Sequence, residues 1–142
     1  DVFVLLAGWL LGPLYGSIAA GTGSALADII AGYGIYAPFT FLIKAFDAFA
    51  AYMVWFVLKK WIKSNRLDGI PRLLSAAVGE AAMVAGYLLT ETLFYGFAAA
   101  LGTLLGNTLQ GVCCMVIASI IAHIFSRIKS VKELFPYLKI DE

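Results

Sequence analysis

The chain has 142 residues, of which 62% are hydrophobic and 13% are charged, and its mean hydropathy is +0.91. Soluble domains contain about 45–50% apolar and about 25% charged residues, so this composition indicates an integral membrane protein. The formal net charge of +1 gives no support for nucleic-acid binding. The length suits one compact helical bundle, and we expect a single transmembrane substrate-binding domain over residues 1–142.

Glycine-containing and polar breaks divide the chain into apolar runs. A spanning helix needs about 20 predominantly apolar residues. Val2–Leu11 is too short for that and ends at Gly12-Pro13, so it is predicted to be a short span or part of a hairpin. The turn at Gly32–Pro38 follows the second run, and the longer runs cover about 14–30, 39–58, 73–100 and, after a break at Gly102 and Gly106, up to about 125.

These runs predict an all-α polytopic transmembrane bundle with about five spans, followed by a polar tail at about 126–142 that could form a surface helix. Alternation typical of strands is not visible. The chain begins at Asp1 and enters an apolar run at once, so we expect further sequence upstream.

Basic residues lie in two regions that are separated by two spans. They follow the third and the last spans, and they are Lys59, Lys60, Lys63, Arg66, Arg72, Arg127, Lys129 and Lys132. The positive-inside rule places both regions, and therefore the C-terminus, in the cytoplasm. The uncharged turn at 32–38 then faces outward.

Lys44 and Asp47 lie inside the third span. A charge at the centre of a spanning helix costs about 2.5–3.5 kcal/mol on insertion scales. The two residues share a face at i and i+3, so they could neutralise each other within the bundle, or they could line a polar cavity near the outer surface.

Polar residues at a similar depth in other spans favour the cavity. Glu80, Tyr87, Glu91 and Tyr95 form one stripe of the fourth span, and Asn107 and Gln110 share a face of the last. We therefore predict a pocket for a small polar aromatic molecule, lined by Tyr36, Lys44, Asp47, Tyr87, Glu91, Tyr95, Asn107 and Gln110. Asp28, near the outer end of its span, could cap a loop, and Glu80, towards the cytoplasmic end, could pair with Arg72 or another basic group, so neither is assigned to the pocket.

Small residues recur every four positions near the start of the chain, at Gly8, Gly12, Gly16 and Ala20. Such spacing lets helix backbones approach closely. The stripe indicates internal packing, or alternatively a contact face for a partner membrane subunit.

Motifs for catalysis or cofactor binding are not found. No G-x-x-x-x-G-K-[ST] is present, so a P-loop for ATP is not predicted. Cys113 and Cys114 are adjacent in an apolar run, and two cysteines alone make a poor metal site. His123 and Ser24 lie at opposite depths, too far apart for a catalytic dyad. We expect no enzyme activity, no metal and no cofactor bound by this chain.

Three segments carry a resemblance to a known family. They are GPLYGSIAAGTGSALADIIAGYGIYAPFTFLIKAFDAF, GYLLTETLFYG and GNTLQG. Together they resemble the substrate-binding S component of energy-coupling factor (ECF) vitamin transporters, over about Leu11 to His123. Members of that family have six spans, so the resemblance implies that a first span is absent from this chain.

The resemblance implies a function. S components bind a vitamin or precursor in an outward pocket and associate with a transmembrane coupling (T) subunit and two cytoplasmic ATPases, which use the ATP. The resemblance implies a bacterial plasma-membrane location, and the segment GYLLTETLFYG, the fifth span in the family's order, is most similar to hydroxymethylpyrimidine or pyridoxine types. Riboflavin and thiamine remain alternatives.

Two other classes stay open at this point. A small proton-coupled secondary transporter would use Glu80, Glu91 or Asp28 as proton sites, although the internal repeats common in such carriers are not visible. A structural membrane subunit would explain the small-residue stripe but not the polar groups gathered at the outer end.

Overall fold

The computed structural model describes residues 1–62, 69–135 and 137. The described residues form five helices, α1 (Val2–Ile30), α2 (Ala37–Trp61), α3 (Gly69–Tyr95), α4 (Phe97–Phe125) and α5 (Lys129–Leu134), without strands. Within this part of the chain, four helices, α1 to α4, are long and apolar enough to cross a membrane. The predicted all-α membrane bundle is confirmed.

Helix α1 is folded back on itself at Gly12. The φ angle of Gly12 is 81°, a left-handed value that a residue with a side chain rarely adopts, and Pro13 follows it. A Cβ atom added at Gly16 would overlap the carbonyl oxygen of Ala7. In a straight helix these two residues would be about 13 Å apart along the axis. The two halves of α1 therefore form a tight antiparallel hairpin, as the Gly-Pro break predicted.

The turn between α1 and α2 lies at the opposite end of the bundle. Gly32 has a φ angle of 87°, and Pro38 occupies the first turn of α2, where its missing N–H costs nothing. We call this the Gly32 end and the hairpin turn the Gly12 end. The break predicted at 32–38 is confirmed.

The break between the last two spans lies at Gly96. The sequence predicted it at Gly102 and Gly106, and that prediction was wrong: both residues lie within α4. Gly96 has a φ angle of 86° and is the single residue between α3 and α4. A Cβ atom at Gly102 or Gly106 would meet nothing within 4 Å, so these glycines face open space and continue the helix.

The helices pack in chain order, α1 against α2, α2 against α3 and α3 against α4, with a lighter contact between α1 and α4. The main apolar core lies towards the Gly12 end and is built mostly from α1, α2 and α4. Its buried members are Leu5, Leu6, Trp9, Leu10, Ala51, Tyr52, Trp55, Ala76, Ala118 and Ala122. This core holds the hairpin of α1 against its neighbours.

Two residues of the predicted basic loop at 59–72 are buried. Lys59 and Arg72 are 5% and 1% exposed, and the Arg72 guanidinium lies 4.8 Å from the Trp55 ring centre and 5.7 Å from that of Trp9. Arg72 therefore contributes to the core through cation–π contacts. Lys63 and Arg66 lie outside the described residues.

The segment after α4 folds onto the Gly12 end. Helix α5 corresponds to the surface helix predicted for the tail. The ring of Tyr137 lies against Gly12, where an added Cβ would be 2.6 Å from the ring. Tyr137 also packs edge-on against Tyr52, with 5.8 Å between ring centres. The rest of the predicted tail, residues 136 and 138–142, lies outside the described part.

Candidate substrate site

The charged centre of the bundle is a pair between Lys44 of α2 and Asp1. The Lys44 ammonium donates to Oδ1 of Asp1, and both side chains are almost fully buried. The amide of Gln110 on α4 donates to Oδ2 of the same carboxylate at 2.6 Å. One carboxylate thus joins the start of α1 to α2 and to α4.

This arrangement decides between partners for Lys44. The sequence offered Asp47 as a neutralising partner on the same helix, but Lys44 pairs with Asp1. Asp47 is fully buried, and neither of its carboxylate oxygens has a hydrogen-bond partner among the described residues. The pair within α2 is therefore not formed.

A chain of hydroxyl groups runs from Lys44 towards the Gly32 end. The Lys44 ammonium lies 5.1 Å from the centre of the Tyr87 ring, and the Tyr87 hydroxyl donates to Thr40 at 3.2 Å. Thr40 in turn donates to Oδ2 of Asp28 at 2.5 Å. Asp28 thus links α1 to α2 and α3, a role that the sequence left unassigned.

Aromatic rings cover the Gly32 end of α2 and α3. The Phe94 ring packs edge-on against Tyr36 and Phe39, with 5.5 and 5.1 Å between centres, and Tyr36 lies 6.5 Å from Tyr95. Burial, followed by a hydrogen bond with Tyr95, raises the pKa of Tyr36 above its ordinary value. Tyr36 therefore keeps its phenolic proton near neutral pH.

The predicted residues of α3 and α4 meet at a second contact. Thr103 of α4 donates a hydrogen bond to the carboxylate of Glu91 on α3. Asn107, one turn further along α4, is half-buried. Glu91 is therefore engaged with α4 rather than directed at Lys44.

The buried carboxylates of Asp47 and Glu80 lie against glycines and have no hydrogen-bond donor among the described residues. Glu80 is 4% exposed, and its oxygens, like those of Asp47, have no hydrogen-bond partner among the described residues. A Cβ atom at Gly79 would overlap Oδ1 of Asp47, and one at Gly111 would lie 3.2 Å from Oε2 of Glu80. The glycines make room for these two carboxylates where α2, α3 and α4 approach each other.

A groove of about 440 Å³ runs between α3 and α4. It is mostly apolar, with Glu80 and Thr108 as its polar members, and its other lining residues are Ala77, Ala81, Val84, Ala85, Leu88, Gly111, Val112 and Met115. The eight predicted pocket residues are not among them. Of the buried charged residues described above, only Glu80 lines this groove.

Six of the eight predicted residues fall into three groups, and Asp47 and Asn107 belong to none of them. Lys44, Tyr87 and Gln110 belong to the central network, Tyr36 and Tyr95 to the aromatic cluster, and Glu91 lies with Thr103. Asp47 is buried apart from the hydrogen-bonded groups. Sequence reasoning missed Asp1, Thr40 and Thr103. Each forms a hydrogen bond with a polar side chain of another helix, and nothing in its own segment of the sequence indicates that contact.

The small-residue stripe packs internally. Gly8 lies against the backbone of Ala48, where an added Cβ would be 2.5 Å from the carbonyl oxygen, and Gly16 lies against Ala7. Gly12 contacts Tyr137, and Ala20 is 6% exposed. These contacts agree with the internal packing that the sequence favoured, and a partner-contact face at Gly8, Gly12, Gly16 and Ala20 stays a prediction.

The comparisons with known proteins match most of the chain. A family model described as ECF-type riboflavin transporter, S component, matches residues 1–127. A curated protein of Pyrococcus woesei, described as an uncharacterized protein in gap 3'region, is 31% identical over 127 residues, covering 89% of this chain and 80% of that one. No solved structure matches the chain.

Proposed function

The chain belongs to the family of ECF-type riboflavin transporter S components, a family of vitamin-uptake subunits, and we propose that riboflavin is the molecule it binds. The resemblance of the segment GYLLTETLFYG favoured hydroxymethylpyrimidine or pyridoxine. The family match names riboflavin over most of the chain, and for that reason we place riboflavin first.

The observation that carries the proposal is the polar network in the middle of an apolar bundle. Asp1, Lys44 and Gln110 come together from three places in the chain, beside the ring of Tyr87. Ionisable residues at membrane depth are costly and mark binding sites or pathways. Ligand pockets typically combine apolar and aromatic walls with a few converging polar groups, as here.

The chemistry of this network suits the ring system of riboflavin. The pyrimidine edge of the isoalloxazine ring has one N–H donor between two carbonyl acceptors. Lys44 and Gln110 can donate to carbonyl oxygens, and a carboxylate can accept from the N–H. A bound ring would exchange hydrogen bonds with groups that the protein now pairs internally, and the aromatic cluster around Phe94 would face the rest of the ligand.

Transport then depends on partners that the family membership implies. We propose that a transmembrane coupling subunit and two ATPases act with this chain in the plasma membrane, with its C-terminus in the cytoplasm. The orientation rests on the basic residues at 59–72 and 127–132. The basic segment 59–72 and the small-residue stripe of α1 remain the candidate positions for the partner contact.

A binding titration on the purified full chain tests the ligand. Quenching of riboflavin fluorescence should saturate at one ligand per chain, whereas hydroxymethylpyrimidine, pyridoxine and thiamine should compete weakly. Saturable binding of one of these three without riboflavin would transfer the assignment to that vitamin. Binding of none of the four would refute the proposal.

The sequence also predicts that the Glu91 carboxylate lines the ligand pocket, and this prediction provides the residue-level test. A hydrogen bond to a charged group contributes about 1.5–3 kcal/mol, so Glu91→Ala should weaken riboflavin binding roughly tenfold to a hundredfold. Thr103→Val is the matched control, because it removes only the hydroxyl that donates to Glu91. Unchanged affinity in a folded Glu91→Ala protein would remove Glu91 from the site.

The secondary-carrier alternative has one observation in its favour, the buried carboxylates of Asp47 and Glu80. Such groups can carry protons in transporters. The chain alone, reconstituted in liposomes with a proton gradient, should not accumulate riboflavin. Accumulation without ATPases would replace the S-component proposal with a carrier.

A further inference from the structure

Three metal-ligand atoms meet in the interior of the bundle. A carboxylate oxygen of Asp1, one of Glu80 and the Sγ atom of Cys114 all lie within 4.8 Å of one another. They come from the start of α1, from α3 and from α4, so the cluster exists only in the folded chain. The paired cysteines alone had not predicted a metal site, because the sequence does not show which carboxylates join them.

Glu80 is the second and independent observation. Glu80 is 4% exposed, and both of its carboxylate oxygens lack a hydrogen-bond partner among the described residues. Buried polar groups almost always have a partner, and an unpaired carboxylate is especially costly. Because an oxygen of Glu80 is directed at Asp1 and Cys114, a ligand bound at this point would satisfy it.

The local charge also favours a cation. Three buried carboxylates, those of Asp1, Asp47 and Glu80, all interact with the same positive side chain, that of Lys44. Removing a charge from water costs several kcal/mol unless an opposite charge compensates it. The excess negative charge lies on the side of Glu80, since Lys44 is already paired with Asp1.

The donor atoms select the class of cation. Carboxylate oxygens alone would suit magnesium or calcium, but a cysteine sulfur favours zinc and similar borderline metals. Tetrahedral zinc with bonds of about 2.0–2.3 Å places its ligand atoms about 3.3–3.8 Å apart, so small side-chain movements would close the cluster. Each Asp1 oxygen still has a lone pair beyond those that accept from Lys44 and Gln110.

We propose that Asp1, Glu80 and Cys114 bind one divalent cation of the zinc class. A fourth position would be open to water or to a donor atom of another ligand. Bound there, the cation would neutralise the excess charge and join α3 and α4 to the start of α1.

Cobalt titration of the purified full chain tests this site. The protein is first treated with a chelator, and Co²⁺ is then added while absorption from thiolate-to-cobalt charge transfer is recorded. We expect a saturable near-ultraviolet band at one Co²⁺ per chain that stoichiometric Zn²⁺ removes. Cys114→Ser should abolish the band, and Glu80→Gln should weaken Co²⁺ binding at least tenfold.

Cys113→Ser is the matched control, because Cys113 is the adjacent exposed thiol and lies outside the cluster. This variant should retain the band and the affinity. Three outcomes would overturn the proposal: no saturable band in the unmodified chain, equal loss in Cys113→Ser and Cys114→Ser, or unchanged affinity in Glu80→Gln. The titration of the unmodified chain remains decisive if a variant does not fold.

Discussion

Helices α1 and α4 each contain 29 residues, and their most apolar stretches have mean hydropathies of 1.8 and 1.9. Yet 44% of that stretch is buried in α1 and only 17% in α4. Because lipid is as apolar as a leucine side chain, hydropathy places both helices in the membrane without deciding which is packed by protein.

Close backbone approach makes the difference between the two helices. Gly8 and Gly16 of α1 lie directly against backbone atoms, whereas Gly102 and Gly106 of α4 have no neighbour that an added Cβ would meet. Helix α4 instead carries exposed leucines such as Leu105 and Leu109. Glycine thus permits close backbone contact at Gly8 and Gly16, whereas Gly102 and Gly106 contact no other part of the described chain.

The test with the largest expected effect concerns the Asp1 carboxylate at the start of α1, which contacts Lys44 of α2 and Gln110 of α4. Lys44→Ala should lower the free energy of unfolding by about 3–5 kcal/mol, because it leaves Asp1 buried without its ion-pair partner. Gln110→Ala removes the bond from exposed Gln110 and should cost about 1 kcal/mol. Unfolding of purified protein in mixed micelles measures both changes.

Lys60→Ala is the control for Lys44→Ala, since Lys60 is exposed and only lies over the Phe56 ring, at 4.2 Å. It should change stability little. Equal losses from Lys44→Ala and Gln110→Ala would show that α4 is held as firmly as α1. Normal stability with lost riboflavin binding in Lys44→Ala would indicate a hydrated pocket around Lys44.

The next test replaces one glycine in each helix. Gly16→Leu should destabilise the protein by about 3 kcal/mol, because any side chain at Gly16 overlaps the Ala7 carbonyl and separates the α1 hairpin. Gly106→Leu should have little effect, since the added atoms would enter open space. Thermal unfolding of the two variants in detergent compares them, and similar melting temperatures would contradict the packing difference.

The smallest expected effect concerns the far end of α1. Tyr87→Phe removes the hydroxyl that donates to Thr40, which in turn donates to Asp28 of α1, and should cost about 1 kcal/mol. Tyr33→Phe is the control, because Tyr33 is 62% exposed. If both variants unfold at the same denaturant concentration, the hydroxyl chain does not stabilise α1.

Local signals were sufficient for part of the fold. Gly12-Pro13 and the turn around Gly32 were predicted because two special residues stand together at each break. The break at Gly96 was missed, since one glycine within an apolar run looks the same whether it ends a helix or lies inside it. Glycine is common inside transmembrane helices, as Gly102 and Gly106 show.

The candidate site was harder to predict for a related reason. The sequence identified Lys44, but its partner Asp1 is 43 positions away and is specified only by how α1 packs on α2. Threonines such as Thr40 and Thr103 were missed because they seldom interrupt hydropathy and often bond to their own helix. The packing of the helices against one another thus determines which polar groups meet, and the sequence of one helix alone does not show it.

The spacing of contacts along the chain has a consequence for synthesis in the membrane. The α1 hairpin joins Ala7 to Gly16 and can close as soon as those residues are inserted, because so little chain separates them. The ion pair of Asp1 can form only after Lys44 has been synthesised, 43 positions later. Its hydrogen bond with Gln110 forms later still, because Gln110 lies 109 positions after Asp1. Until α2 inserts, the Asp1 carboxylate of the nascent hairpin has no counter-ion. We therefore expect α1 to reach its final packing only when α2 inserts and Lys44 pairs with Asp1.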